Sequence, residues 1–132
     1  MFQLFLPGPP IPLARPRLHG KGLYDPQFAE KNALQDYVRK HVKEPFEGPL
    51  HVDLVFQMPI PMSFSKKKKL NLPAYTKRPD LSNLVKFIED ALNGVLWHDD
   101  AQIVSFNATK CYHNDVGVLL AVRALDGEVD QP

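Results

Sequence analysis

The chain has 132 residues, 44% of them hydrophobic and 23% charged, with a formal net charge of +1. This is enough for one domain with a single core and no covalent staples, and the lone cysteine, Cys111, excludes an intrachain disulfide and suits a reducing compartment. No apolar run approaches the roughly 20 residues that cross a bilayer, and residues 1–7 lack the charged start and long apolar run of a secretory signal, so a soluble cytoplasmic protein with no membrane partner is expected.

Residues 2–6 predict a first strand. It must end in Pro7-Gly8-Pro9-Pro10-Ile11-Pro12, because proline cannot donate to a ladder. An irregular segment follows through Arg15, Arg17, His19, Gly20 and Gly22. Its positive charge suits a phosphate backbone and equally suits a plain surface loop. Asp25-Pro26 reads as an N-cap and first helical position. The helix they open would turn Phe28, Ala29, Ala33, Leu34, Tyr37 and Val38 inward and Glu30, Lys31, Asp36, Arg39 and Lys40 outward, ending near Val42 or Lys43.

Residues 49–58 predict a strand, with Val52, Leu54 and Phe56 on one face and His51, Asp53 and Val55 on the other. Residues 61–79 carry no apolar periodicity but hold Lys66, Lys67, Lys68 and Lys69, and a connection of that length in a small domain is usually functional. A second helix begins at Asp80, with Leu81, Leu84, Val85, Ile88, Leu92 and Val95 as its apolar stripe and Ser82, Lys86, Asp90 and Asn93 on the other side. Strands over 101–112 and 115–125 follow, and His113-Asn114-Asp115 between them reads as a hairpin turn. Residues 126–132 read as a frayed tail. The order β-α-β-loop-α-β-β predicts an α/β (α+β) domain over residues 1–125, two helices packed on one mixed sheet of about four strands.

Charge is unevenly placed. The chain is basic through Arg78 and acidic from Asp80 onward, with the lysine run, Lys77 and Arg78 leading directly into Asp80, Asp90, Asp99 and Asp100. Such a pattern suits a protein that holds a polyanion and keeps a metal ion beside it, although charge alone does not separate this from a solvated loop followed by an acidic surface. Hydrolysis of a phosphodiester with a hard divalent cation needs carboxylate ligands, usually only one or two per Mg2+. It also needs a cation to neutralise charge developing on the phosphate. Asp80, Asp99 and Asp100, with Lys86, supply these types, provided the separated acids meet in space. Each has a structural alternative: Asp80 as a helix N-cap, Lys86 and Asp90 as an i,i+4 surface pair, Asp99-Asp100 as a turn. His41, His51 and His98 show no metal-ligand spacing, and Trp97 reads as core.

Taken together, the string Arg78-Pro79-Asp80-Leu81-Ser82-Asn83-Leu84-Val85-Lys86, then Asp90-Ala91-Leu92-Asn93-Gly94, then Asp99-Asp100-Ala101-Gln102-Ile103 closely resembles the RusA family of Holliday-junction resolvases. The resemblance is strong over residues 77–103 and looser elsewhere. It implies a homodimeric endodeoxyribonuclease of DNA recombination and repair that uses Mg2+, with Mn2+ as a substitute, to place paired nicks in four-way DNA junctions. Carried over by position, Asp80, Lys86, Asp99 and Asp100 would be catalytic. Asp80, Asp99 and Asp100 would hold metal, with Asp90 a further candidate ligand. Charge, rather than the resemblance, marks Lys66, Lys67, Lys68, Lys69, Lys77 and Arg78, with Arg15 and Arg17 as further candidates, to hold DNA. Ser82 departs from the family, standing where its best-known members carry a second aspartate. The alternative is therefore a junction- or DNA-binding protein whose cleavage is weak or lost. A small-molecule phosphohydrolase, a third reading, leaves the lysine-rich loop without a purpose.

Overall fold

The computed structural model of the chain describes residues 1–15, 17–20 and 22–125, with only the backbone at Arg17 and His19. The expectations of a frayed tail over 126–132 and of an Arg17 side chain on DNA lie outside the described residues.

Among the described residues, six strands and three helices run in the order β1 (Phe2–Pro7), β2 (Arg17–His19), β3 (Gly22–Tyr24), α1 (Phe28–Arg39), β4 (Leu50–Met58), α2 (Lys66–Leu70), α3 (Leu81–Leu92), β5 (Ile103–Tyr112) and β6 (Gly117–Ala124), with a 3-10 turn at Asp100–Gln102. Four strands form one mixed sheet in the order β1-β6-β4-β5. The central β4 pairs parallel with β5 and antiparallel with β6. The α+β architecture is as the sequence predicts, with two additions. The irregular basic segment contains the small β2–β3 hairpin, and the lysine run forms the short helix α2, capped by Ser65, whose hydroxyl accepts from the Lys68 N–H.

The expected hairpin is overturned. His113-Asn114-Asp115 does not close a hairpin, because β5 and β6 lie on opposite sides of β4 and never pair. The turn crosses over the end of β4 instead, held by the Met58 carbonyl accepting from the His113 N–H. Adjacent strands in sequence usually pair, but β4 offers its edges to both, and its apolar alternation fits each partner.

Alternation decides the face. Val52, Leu54 and Phe56 of β4 stand beside Val122, Leu120 and Val118 of β6. These six pack with Val38 of α1 and with Leu84, Phe87, Ile88, Ala91 and Leu92 of α3 in one buried core. Each buried aliphatic side chain stabilises the fold by about 1.5–3 kcal/mol relative to exposure. The opposite face carries His51, Asp53 and Ser105, hydrogen-bonded in a row: His51 Nδ1 lies 2.7 Å from the Ser105 hydroxyl and Nε2 2.9 Å from Asp53.

α1 departs from its predicted start and rotation. Gln27, not Asp25, is the N-cap. The Asp25 carboxylate accepts from the Gln27 N–H and from the Lys31 ammonium. The Gln27 side chain ties down the proline-rich segment, accepting from the Ala14 N–H and donating to the Pro12 carbonyl. Lys31, expected outside, is 8% exposed, whereas Phe28, expected inside, is 69% exposed. The helix also ends earlier, at Arg39. α3 stops at Leu92, before the predicted Val95, because Gly94 turns into the left-handed region (φ +80°).

Candidate active site

α3 organises every predicted acid. Asp80 is its N-cap residue, with extended backbone, and its carbonyl starts the helix by accepting from Asn83 and Leu84 N–H groups. Its carboxylate makes no capping hydrogen bond and is exposed. The structural role foreseen for this side chain, a helix cap, is therefore absent. Around it lies a shallow hollow formed by Pro10, Pro12, Leu13, Arg78, Pro79 and Asn83. The Leu13 N–H donates to the Asn83 carbonyl at 2.9 Å, which brings the segment leading to the exposed Arg15 against the first turn of α3. A deeper apolar hollow, lined by Ile11, Leu34, Tyr37 and Phe87 among others, is bordered by none of the predicted site residues.

The basic connection is folded onto the domain. Tyr75 packs tilted against Tyr112 of β5 with ring centroids 4.6 Å apart, Phe64 meets the same ring edge-on at 5.2 Å, and Lys68 lies 4.1 Å above Phe64. Burial first, and the neighbouring Tyr112 second, push the Tyr75 phenol above its ordinary range. Lys110 of β5, which sequence reasoning passed over, donates to the carbonyls of Lys77 (2.7 Å) and Pro79 (2.8 Å). It pins the chain immediately before Asp80. Lys77 and Arg78 remain exposed, as do Lys66, Lys67, Lys68 and Lys69 on α2.

The other acids gather at the far end of α3. Asp99 caps the 3-10 turn through the Ala101 N–H, and Gln102 locks that turn from below. Its side-chain oxygen accepts from the His98 and Asp99 N–H groups, while its amide nitrogen donates to the carbonyls of Phe46 and Gly48. Asp100 is held by the indole N–H of the fully buried Trp97 at 2.6 Å, and its own N–H donates to the Asn93 side chain. The aspartate pair is thus a turn and also a rigid presentation of two carboxylates, that of Asp99 engaged in a capping box and that of Asp100 on the Trp97 indole. Burial pushes the Asp100 carboxyl above its ordinary range; the Trp97 hydrogen bond opposes this, and Asp99 and Asp90 add to it. Glu89, a second residue missed in the sequence, is raised likewise, by burial first and then by Asp100, with Lys86 opposing.

Asp90 and Lys86 do not form the expected surface pair. The Asp90 carboxylate accepts from Lys31 at 2.5 Å, and Lys31 also holds Asp25 at 2.6 Å. Lys86 is exposed on the same helix face as Ser82 and Asn93, about midway along α3.

The two groups of acids do not meet. Twelve helical residues separate them, a rise of about 18 Å. Among the described residues, no three His, Cys, Asp or Glu side chains stand close enough to hold a metal together. A complete metal site of the predicted composition is therefore not formed within one chain. The helical rise between Asp80 and Asp99 is the signal in the sequence that foretells this separation.

The family model "Endodeoxyribonuclease RusA" matches residues 7–123. A Bacillus subtilis (strain 168) protein, "Uncharacterized protein YqaN", is 32% identical over 131 aligned positions, which cover 88% of this chain and 91% of the relative.

Proposed function

The chain belongs to the RusA endodeoxyribonuclease family, and from that membership and the arrangement around α3 we propose that it resolves four-way DNA junctions by paired phosphodiester hydrolysis, as a homodimer in the cytoplasm. The observation that carries the reading is the Asp80 carboxylate. It is exposed, takes no part in capping its helix, and lies beside Lys77, Arg78 and the segment pinned by Lys110. An acid among cations at a surface is what a phosphodiester and a cation need at one place.

Asp80, Lys86, Asp99 and Asp100 are the proposed working residues. The proposed cofactor is Mg2+, replaceable by Mn2+, with Asp80 at one end of α3 and Asp99 and Asp100 at the other as its candidate ligands. When bound, such an ion polarises the phosphoryl oxygen and lowers the pKa of water. Asp90, already paired with Lys31, is the weakest candidate ligand. The chain's own residues supply the rest. Lys86 offsets negative charge on the phosphate, while Arg15, Lys77, Arg78 and the four lysines of residues 66–69 grip the flanking backbone.

Ser82 favours a second reading, binding without efficient cleavage, since the exposed hydroxyl on α3 brings no charge to the position. One assay separates the two. A labelled synthetic four-way junction is incubated with the protein, with and without Mg2+, beside the Asp80→Asn and Lys86→Ala variants. Nicking that requires the metal and disappears in both variants supports resolution. Retention of the junction without nicked product supports the binding-only protein.

A further inference from the structure

We propose that the basic connection before Asp80 holds a subsite for one unpaired nucleobase of a DNA strand, walled by Phe64, Tyr75 and Tyr112 and rimmed by Lys68 and Lys77. It rests on the nuclease reading and deepens it, by naming the feature of DNA that the site selects.

Residues 59–79 carry six cations and no carboxylate. The chain there wraps a hollow of about 590 Å³, within the range of small-ligand sites. Its walls are rings: Pro61, Phe64, Pro73 and Tyr75 from the connection, and Tyr112 from β5. Phe64 and Tyr75 are half-buried, with ring centroids 5.2 and 4.6 Å from that of Tyr112. Rings serving only as an anchor would close on one another. These border a hollow that the Lys68 and Lys77 side chains also line.

A nucleotide asks for that combination. Aromatic rings offer faces on which any base stacks, and cations beside them hold its phosphate. Lys68 stands 4.1 Å over the Phe64 ring, on the exposed helix α2. Its flexible stem lets the ammonium swing onto a phosphate as a base takes its place. Tyr75 adds no repulsion, because burial and then Tyr112 hold its phenol above the ordinary range and keep it neutral.

The hollow is also tied to the proposed cutting position. The Tyr75 hydroxyl donates to the Arg78 carbonyl at 3.1 Å. The Lys110 ammonium, 5.1 Å from the centre of the Tyr75 ring, binds the Lys77 and Pro79 carbonyls together. From Lys77 to Asp80 the chain spans at most about 11 Å. A base in the hollow therefore belongs to a nucleotide close to the phosphate at Asp80. In a stacked duplex both faces of a base are covered. The hollow thus suits DNA whose pairing is already lost there, where extruding a base costs least: a junction crossover, a bulge or a flap.

The test measures binding without divalent metal, by fluorescence anisotropy. The probes are a labelled thymidine oligomer of about ten nucleotides, long enough for such a groove, and a labelled duplex of equal length. Wild type should prefer the single strand. Phe64→Leu and Tyr75→Leu keep an apolar side chain but lose the ring. Each should weaken single-strand binding about tenfold and duplex binding by less than about twofold. Tyr75→Phe, which keeps the ring, should bind as wild type does. No preference in wild type, or equal losses for both DNAs, overturns the subsite and leaves the rings as scaffold. A second measurement needs only the wild-type chain: a four-way junction carrying 5-iodouracil beside the crossover is irradiated on the protein, and the adduct is mapped by peptide mass. Adducts at Phe64, Tyr75 or Tyr112 support the subsite; adducts confined elsewhere, or none, overturn it. Nicking in Mg2+ is scored separately. A protein that cuts without these signs loses the subsite and keeps the nuclease reading, and one that shows them without cutting does the reverse.

Discussion

Lys31 and Asp90, 59 residues apart in the chain, form a 2.5 Å ion pair that joins α1 to α3. The same ammonium holds Asp25 at 2.6 Å, so a buried cation is shared between two partly hydrated carboxylates. Burial works against the charge on Lys31, but the hydrogen bonds and attraction from Asp25 and Asp90 outweigh it and hold the ammonium above the usual lysine range. The pair lies behind the acidic end of the site and fixes how α3 seats on α1.

Lys31→Met should lower stability by about 1–2 kcal/mol, less than for a fully buried pair because both acids retain water. A shift in the urea midpoint at constant m would show it. The pH dependence has a definite sign. The Lys31 hydrogen bond first, then the Gln27 N–H, hold Asp25 below the ordinary carboxylate range against an opposing effect of burial. Its contribution is therefore present above the unfolded carboxyl value and lost as pH falls through the lower folded value. The Lys31 contribution is present below the ordinary lysine value and lost as pH rises through its raised folded value. Wild type should lose its advantage over Lys31→Met at both extremes; a difference that is constant with pH would contradict the ion-pair account.

Asp100→Asn should separate stability from activity. Because the folded carboxyl is raised, by burial against the Trp97 hydrogen bond and then by Asp99 and Asp90, ionised Asp100 opposes folding as pH rises through that window. Asparagine keeps an oxygen for the Trp97 indole and removes the repulsion. The variant should be as stable as wild type or up to about 1 kcal/mol more stable, while losing nicking by about 100-fold or more. Thermal unfolding beside a junction assay reads both; a large loss of stability would mean that Asp100 is chiefly structural.

Neutralising Lys66, Lys67 and Lys69 to serine should weaken junction binding without changing the fold, since all three side chains are exposed on α2. Each lost phosphate contact should reduce the slope of log affinity against log salt by about 0.9. Lys68 is left in place because it covers the Phe64 ring. An unchanged slope would remove α2 from the DNA surface.

Ser82→Asp should change nicking by less than about tenfold, or 1.4 kcal/mol in barrier height, if Asp80, Asp99 and Asp100 suffice for the cation. A much larger gain would identify the natural site as a weakened one.

α3 was legible in the sequence because its apolar positions recur at the helical period, and Leu84, Ile88 and Leu92 are buried as that period requires. The rotation of α1 was not legible. A lysine at an outward-looking position was drawn inside by carboxylates at Asp25 and Asp90, and no local pattern records a partner that distant. Strand order escaped for the same reason, since β4 accepts β5 on one edge and β6 on the other, and alternation states which face a residue takes but not which neighbour. The candidate residues were visible as an ordered string. Their division between the two ends of α3 follows from helical rise and becomes unavoidable once both ends are anchored, by Lys110 at one and by Trp97 and Asn93 at the other.

The most direct measurement is a four-way junction labelled on each strand in turn, incubated with wild type in Mg2+ and resolved under denaturing conditions. Symmetric cuts on two opposing strands, abolished by a chelator and by Asp80→Asn, are the predicted result. Tight, salt-sensitive binding with no cut on any strand in either Mg2+ or Mn2+ would contradict the account.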